Sequence, residues 1–341
     1  MSSDFLLVQA AKGQKTSRTP VWLMRQAGRY MSEYQDFRKR YKFMEICRNP
    51  DLAANVSLMP YEAFAPDGVV MFSDIMFPIE GMNISFALEN AGPHIQEPIR
   101  TLKAAKNLQI LAPHDPNIDS VQALIRILKN ELAGKCPVIG FTGGPFTLAT
   151  YVVEGKKSED LEIIKTLMSS DPATLEMLLD KLAKSMTAYC LAQVSAGVDV
   201  IQIFDTWAGM LSEHDYRRWA LPYQQQIFKA LKGQVPTILY VRAATGYLET
   251  LKLAGTDCIS LDWRIEIARA RKILGEHFPI QGNMDPALML GTVEHVETEV
   301  KRLIKAGGQH GHILNLGHGL LPTTPRENVK RFIEVAKETI K

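Results

Sequence analysis

The stretch PVWLMRQAGRY, residues 20–30, sets Arg25 and Arg29 four positions apart, directly after an apolar run. Guanidinium groups at the end of a buried segment cost desolvation that a surface ion pair does not return. An acidic ligand is therefore expected in front of them. Further on, VVMFSDIMFP holds Asp74 between two apolar runs, so its carboxylate is expected to be partly desolvated. The plainer role for Asp74 is a turn or a helix N-cap, but IMFPIEG does not read as the start of a helix. GFTGGPFTLATYVVEG (140–155) opens a helix with Gly143, Gly144 and Pro145. Such glycines permit positive φ and close backbone approach, and the proline suits a first helical turn. The segment has neither the Lys-Ser/Thr of a Walker loop nor GxGxxG spacing. Its helix N-terminus can still receive a carboxylate, with Tyr151 a couple of turns beyond. QIFDTWAG (202–209) presents Asp205, Thr206 and Trp207, and NLGHGLLPTTP (315–325) sets His318 between two glycines, which leave an imidazole open on a loop. His310, His312 and His318 have no cysteine nearby and no HExxH spacing, so no metal is expected.

These residues share a position: each follows a short apolar run. VWLM (21–24), VVMF (69–72), VIGF (138–141), VDVIQIF (198–204), TILYV (237–241), CISL (258–261), PIQG (279–282) and HILNL (312–316) read as strands covered on both faces. Helical patterns lie between most of them, among them 173–197, capped by Asp171 or Ser170 and ended by Gly197, and 293–308. Eight strands alternating with helices predict an α/β fold, a single (β/α)8 TIM barrel over residues 1–341, with an excursion after the second strand at about 75–118 and a hairpin near 82–97. In such a barrel the site gathers at the C-terminal strand ends. Here these carry Arg25, Asp74, Gly143–Gly144, Asp205–Thr206, Arg242, Asp262, Asn283 and His318.

Composition narrows the function. With 39 basic and 37 acidic residues the net charge is +2, too even a balance for a nucleic-acid or anionic-membrane binder. The basic character is local, eight Lys/Arg against two Asp/Glu in residues 15–42. Four cysteines spread without a CxxC pair read as reduced, buried thiols. No apolar run is long enough to span a bilayer, and the first residues have neither signal-peptide nor transit-peptide character; a soluble cytoplasmic protein is expected.

Taken together, PVWLMRQAGRYMSEY, FSDI, GFTGGPFTLATYVVEG, IQIFDTWAG, SLDW, QGNMDP and NLGHGLLPTTP resemble the uroporphyrinogen decarboxylase family, in the family's order and across residues 20–325. Ser32 stands where the family commonly has Pro, Phe146 where it has Trp, and Thr206 where Ser is frequent. The resemblance implies a (β/α)8 barrel, a homodimer with facing clefts, and a cofactor-free enzyme. It would remove the four acetate carboxylates of uroporphyrinogen III to leave coproporphyrinogen III. It also implies Arg25, Arg29, Asp74, Tyr151, Thr206 and His318 as site residues, with Gln26, Arg38, Phe141 and Phe204 as further cleft contacts. Asp74, Arg25, Tyr151 and His318 are the candidates for the chemistry, and the proton donor stays open among Arg25, His318, Tyr151 and water. Two rivals stand beside this reading. A zinc-dependent methyltransferase on the same barrel needs a His-x-Cys pair and a later Cys, which are missing around His318 and Cys258. A non-catalytic tetrapyrrole carrier would use the arginines but have no need of Asp74.

Overall fold

The computed structural model describes residues 5–89 and 92–338. The valine- and isoleucine-rich runs pair side by side, because only a sheet covered on both faces buries them completely. The strands are β1 (Val69–Val70), β2 (Phe86–Glu89), β3 (Gly92–Ile95), β4 (Val138–Gly143), β5 (Val200–Phe204), β6 (Thr237–Tyr240), β7 (Cys258–Ser260), β8 (Ile280–Gln281) and β9 (His312–Ile313). Seven of them form one sheet in the order β1-β4-β5-β6-β7-β8-β9. All of its pairs are parallel. Every residue of β4 and of β6 is buried.

The sheet is curled. Ile139, Val200, Ile238, Cys258 and Ile313, from five different strands, pack into one cluster with Trp22 and with Leu7, Val8, Ala10 and Ala11 of the helix Leu6–Ala11. Side chains so far apart in strand order meet only inside a curved sheet. A buried polar chain crosses the same interior. Trp22 Nε1–H donates to Gln281 Oε1 at 2.8 Å, and Gln281 Nε2 donates to Gln202 Oε1 at 3.0 Å and to Ser260 Oγ at 2.9 Å. Outside, amphipathic helices cover the strands. Asp171 caps Pro172–Ala196 through Thr174 N–H at 3.3 Å, and Gly197 ends it at φ 104°. Thr292 caps Val293–Gly307.

One expected strand does not form a ladder. VWLM makes only a single parallel bridge, Val21 to Leu314, so the sheet has seven strands and not eight. The cause is competition from side chains. Asp67, held by Arg18 at 2.6 and 2.7 Å, accepts the Val21 N–H at 2.9 Å, and Asn315 Oδ1 accepts the Met24 N–H at 3.1 Å. Between β1 and β4 the chain runs through a 3-10 helix (Phe77–Met82), the antiparallel β2–β3 hairpin and the helices Leu102–Asn107 and Pro116–Leu132. The hairpin falls where the sequence predicted it. All four cysteines are buried and free. Among the described residues no helix is long and apolar enough to cross a membrane.

Candidate active site

Asp74 sits just past β1, and the turn it makes is real. Its Oδ1 accepts the Met76 N–H at 2.8 Å, and its carbonyl accepts the Phe77 N–H at 3.1 Å, where the 3-10 helix begins. IMFPIEG thus does start a helical turn, contrary to the sequence expectation, because Pro78 suits a first helical position. The turn uses only one carboxylate oxygen; among the described residues nothing hydrogen-bonds to Oδ2. Burial pushes the Asp74 carboxyl above the ordinary carboxylate range, opposed by the Met76 N–H and the Arg25 charge. The side chain is half-buried, with Met71 buried and Phe72 half-buried beside it in sequence.

Arg25 lies in the left-handed region at φ 61°, a costly conformation for a residue with a β-carbon and one found where the surroundings fix it. Gln26 does part of the fixing. Its Nε2 donates to Gly68 O at 3.1 Å and its Oε1 accepts the Leu23 N–H at 3.4 Å, so this buried amide braces the loop. The Arg25 side chain runs across Gly319, where a β-carbon would stand 2.3 Å from Arg25 Cδ. The Leu320 N–H donates to Met24 O at 3.0 Å, tying the NLGHG loop to the arginine loop. Arg29 is exposed. Arg38 donates to Tyr41 O at 2.8 Å and lies over the Phe43 ring at 5.5 Å. Arginines such as Arg18, Arg48, Arg302 and Arg331 are ion-paired, but Arg25, Arg29 and Arg38 have no carboxylate in ion-pair range among the described residues.

Rings from successive strands line the same end of the sheet. Phe141 of β4 meets Phe204 of β5 edge-on at 5.8 Å, Phe204 meets Tyr240 of β6 at 6.1 Å, and Tyr240 stacks on His318 at 5.7 Å. Burial, together with the charges of Arg25, Arg242 and Arg264, pushes the His318 imidazole down to about 3. It is neutral at neutral pH. Tyr151 Oη accepts the Trp207 Nε1–H at 3.0 Å. Burial raises its phenol pKa, with Asp74 pushing the same way and the Trp207 bond and Arg25 opposing. Thr206 is half-buried at the start of the turn Thr206–Met210.

Residues 2–339 match the family model described as Uroporphyrinogen decarboxylase (URO-D). A protein of that name from Synechococcus sp. (strain JA-2-3B'a(2-13)) is 44% identical over 337 residues, covering 98% of this chain and 97% of the relative. Another of that name, from Gloeobacter violaceus, is 44% identical over 336 residues, covering 97% and 96%. The chain belongs to the uroporphyrinogen decarboxylase family. Among solved structures, a methyltransferase from Methanosarcina mazei superposes with a TM-score of 0.79 at 21% identity, over 97% of this chain and 96% of that one. A B12-independent methionine synthase from Shewanella sp. W3-18-1 follows at 0.55 and 13% identity, over 84% and 86%. These two share the fold alone.

Within this member of the uroporphyrinogen decarboxylase family, the glycine pair works differently from the expectation. Neither Gly143 nor Gly144 has positive φ. Gly144 is needed because the Asp205 side chain lies against it: a β-carbon there would stand 2.2 Å from Asp205 Cγ. The N-terminus of the helix Pro145–Glu154 does receive a carboxylate, but the protein's own: Asp205 Oδ1 accepts the Thr147 N–H at 2.8 Å. That helix end is therefore occupied. Asn283 is likewise structural, its Nδ2 donating to Asp262 O at 2.8 Å and to Ile265 O at 2.6 Å. Sequence reasoning missed Tyr240 and Arg264 and left Arg242 as an unassigned strand-end residue. Only SLDW, with Trp263 inside it, hinted at this part of the rim. Among the described residues, no three His, Cys, Asp or Glu side chains gather as metal ligands.

Proposed function

We propose that this chain is a carboxy-lyase converting uroporphyrinogen III to coproporphyrinogen III, taking four acetate side chains to methyl groups with release of four CO2 and no cofactor. One observation carries the mechanism: a half-buried carboxylate, Asp74, with one oxygen uncommitted, standing near Arg25 among rings and unpaired guanidinium groups.

The pyrrole N–H groups of a flexible porphyrinogen can all turn toward one acceptor, and Asp74 is that acceptor. Protonation of a ring α-carbon makes the pyrrole cationic. The C–CO2 bond then breaks, its electron pair entering the ring as an exocyclic double bond and neutralising the charge. A proton adds to the exocyclic carbon to give the methyl group, and the ring α-proton is lost, so each cycle replaces one CO2 by one H+. Asp74 stabilises the cationic ring more than the neutral one, the condition for lowering a barrier. Opposite charges about 4 Å apart at an effective dielectric of about 20 interact by roughly 4 kcal/mol, which is about a thousandfold in rate.

Arg25, Arg29 and Arg38 bind the acetate and propionate carboxylates, for which the guanidinium fork is suited. Phe141, Phe204, Thr206 and the Gln26-braced loop shape the cleft. His318, neutral in the free protein, and Tyr151 serve as hydrogen-bond donors to carboxylates; proton delivery falls to the Arg25 side, directly or through water. The reading takes residues 1–341 as one closed barrel, with segment 20–24 completing it. Support comes from the Val21–Leu314 bridge on one side and the Asp67 N–H to Val21 O bond, 2.7 Å, on the other. A cytoplasmic homodimer is the arrangement the family resemblance implies.

The test is anaerobic incubation with uroporphyrinogen III, oxidation, and a count of carboxylates on the separated products. Products carrying seven, six, five and finally four carboxylates are expected. Unchanged eight-carboxylate porphyrin would leave the carrier reading in place.

A further inference from the structure

Two arginines far from β1 have no part in that mechanism. Arg242 follows β6 and Arg264 follows β7, three and four strands from β1 in the sheet order. Both guanidinium groups lie against one indole: Arg242 Cζ is 6.0 Å and Arg264 Cζ 4.4 Å from the Trp263 ring centroid. The indole is seated on the His318 loop, since a β-carbon on Gly317 would stand 3.0 Å from Trp263 Cε3. Tyr240 joins the same loop by donating to Gly317 O at 2.8 Å and stacking on His318.

Buried Asp262 holds both arms. Its Oδ2 accepts from the Ala243 N–H at 2.7 Å and from Arg264 Nη1 at 2.7 Å, and its Oδ1 accepts the Arg264 N–H at 3.0 Å. Ala243 is thereby kept at φ 60°, beside Arg242. Arg242 itself has no carboxylate in ion-pair range among the described residues, whereas Arg264 is paired with Asp262. Both charges act on the His318 imidazole, as does Arg25. This stretch of rim is thus held rigidly, carries excess positive charge, and adjoins the candidate active site.

Resting on the decarboxylase reading, we propose that Arg242 and Arg264, braced by Trp263 and Asp262, bind a propionate carboxylate of the tetrapyrrole. The choice of propionate over acetate follows from the reaction. A clamp of two guanidinium groups stabilises a carboxylate as an anion, but a reacting acetate must leave as neutral CO2. Each acetate is lost in its turn, so a rigid clamp dedicated to one would be left without a ligand as the four steps proceed, whereas the propionates persist from substrate to product. A propionate keeps its charge throughout, so binding it lowers KM and leaves kcat almost untouched.

The double variant Arg242→Gln/Arg264→Gln tests this, with Arg242→Lys/Arg264→Lys as the conservative pair. Steady-state kinetics use uroporphyrinogen III, and equilibrium binding uses coproporphyrinogen III, both anaerobically. Charge-assisted hydrogen bonds of the usual strength predict a KM increase of roughly 10- to 100-fold, with kcat within about threefold of the parent. The Kd for coproporphyrinogen III should rise by the same factor, and the lysine pair should recover part of the loss. The lysine pair keeps a cation for Asp262 and gives the same reading, with a smaller factor, should the glutamine pair fail to fold. An unchanged KM and Kd in a folded variant, beside an active parent, removes the subsite and leaves the decarboxylase reading standing. Weaker binding of uroporphyrinogen alone makes the clamped group an acetate and overturns the proposal, as does a fall in kcat at constant KM. A parent protein that releases no CO2 from uroporphyrinogen III removes both readings together.

Discussion

Asp74 and Asp205 hold matching positions, each just past a parallel strand of the curled sheet, and burial raises the pKa of both. Their surroundings differ in two respects. Asp205 is fully buried and engaged at both oxygens, Oδ1 by the Thr147 N–H at 2.8 Å and Oδ2 by Gln224 Nε2 at 2.7 Å. Gln224 is oriented in turn by the Tyr216 hydroxyl, which donates to its Oε1. Asp74 is half-buried, uses one oxygen for the Met76 N–H, and leaves the other uncommitted. A raised carboxylate pKa therefore does not mark a reacting group on its own. On the proposed mechanism, the free oxygen and the open side mark Asp74 as the group that acts, and the two engaged oxygens mark Asp205 as one that holds the fold.

Exchanging each aspartate for asparagine gives the largest expected difference. Asp74→Asn keeps the Met76 contact through its amide oxygen but loses the charge opposite the cationic ring. We expect kcat to fall about a thousandfold, with tetrapyrrole affinity largely retained, measured by CO2 release and by equilibrium titration. Asp205→Asn should keep the per-molecule kcat of the folded fraction within a few-fold. Equal kinetic losses in the two variants would erase the distinction.

Stability should move in opposite directions. In Asp205→Asn the new amide N–H2 faces the Gln224 N–H2, and turning Gln224 over would break its bond to Tyr216. A loss of about 1–3 kcal/mol is expected from urea unfolding. For Asp74 the folded-state pKa is raised, so its contribution to stability is full below the unfolded carboxyl pKa and disappears as pH rises through the folded value. Asp74→Asn should thus be more stable than the parent at pH 7. The gain should shrink to nothing below about pH 4, where the carboxyl is protonated in both states. A stability loss for Asp74→Asn at pH 7 would show that the turn, and not the chemistry, fixes that residue.

The same contrast explains what could be read from the sequence. Strands buried on both faces announce themselves as continuous apolar runs, so seven of the eight expected strands fall in place, and with them the strand-end positions of Asp74 and His318. VWLM has the same pattern but loses its ladder to the Asp67 and Asn315 side chains, a competition between residues 46 and 291 positions apart. The role of Asp205 was hidden for the same reason, since its partners Thr147 and Gln224 lie 58 and 19 positions away. Tyr240 reads as one more core residue of TILYV until the curl brings it onto His318. Arg242 and Arg264 converge on Trp263 only because β6 and β7 are neighbours.

Two glycines extend the comparison to its smallest expected effect. A β-carbon at Gly144 would meet Asp205 Cγ at 2.2 Å, and at Gly319 it would meet Arg25 Cδ at 2.3 Å. The clashes are alike in distance and unlike in what can yield. Asp205 is pinned by two hydrogen bonds, so Gly144→Ala should cost about 1–3 kcal/mol, as overpacking does. The Arg25 side chain is long, and nothing described hydrogen-bonds to its guanidinium, so in Gly319→Ala it can swing away at a cost below about 1 kcal/mol. What shifts is the guanidinium itself, away from the place where its charge reaches Asp74 and His318. Gly319→Ala should therefore melt close to the parent yet show a KM for uroporphyrinogen III raised by roughly 3- to 10-fold, the size expected when one charge-assisted contact is weakened and not removed. A variant with parental KM would mean that the position of Arg25 over Gly319 is incidental to binding, and the clamp would then rest on Arg29 and Arg38.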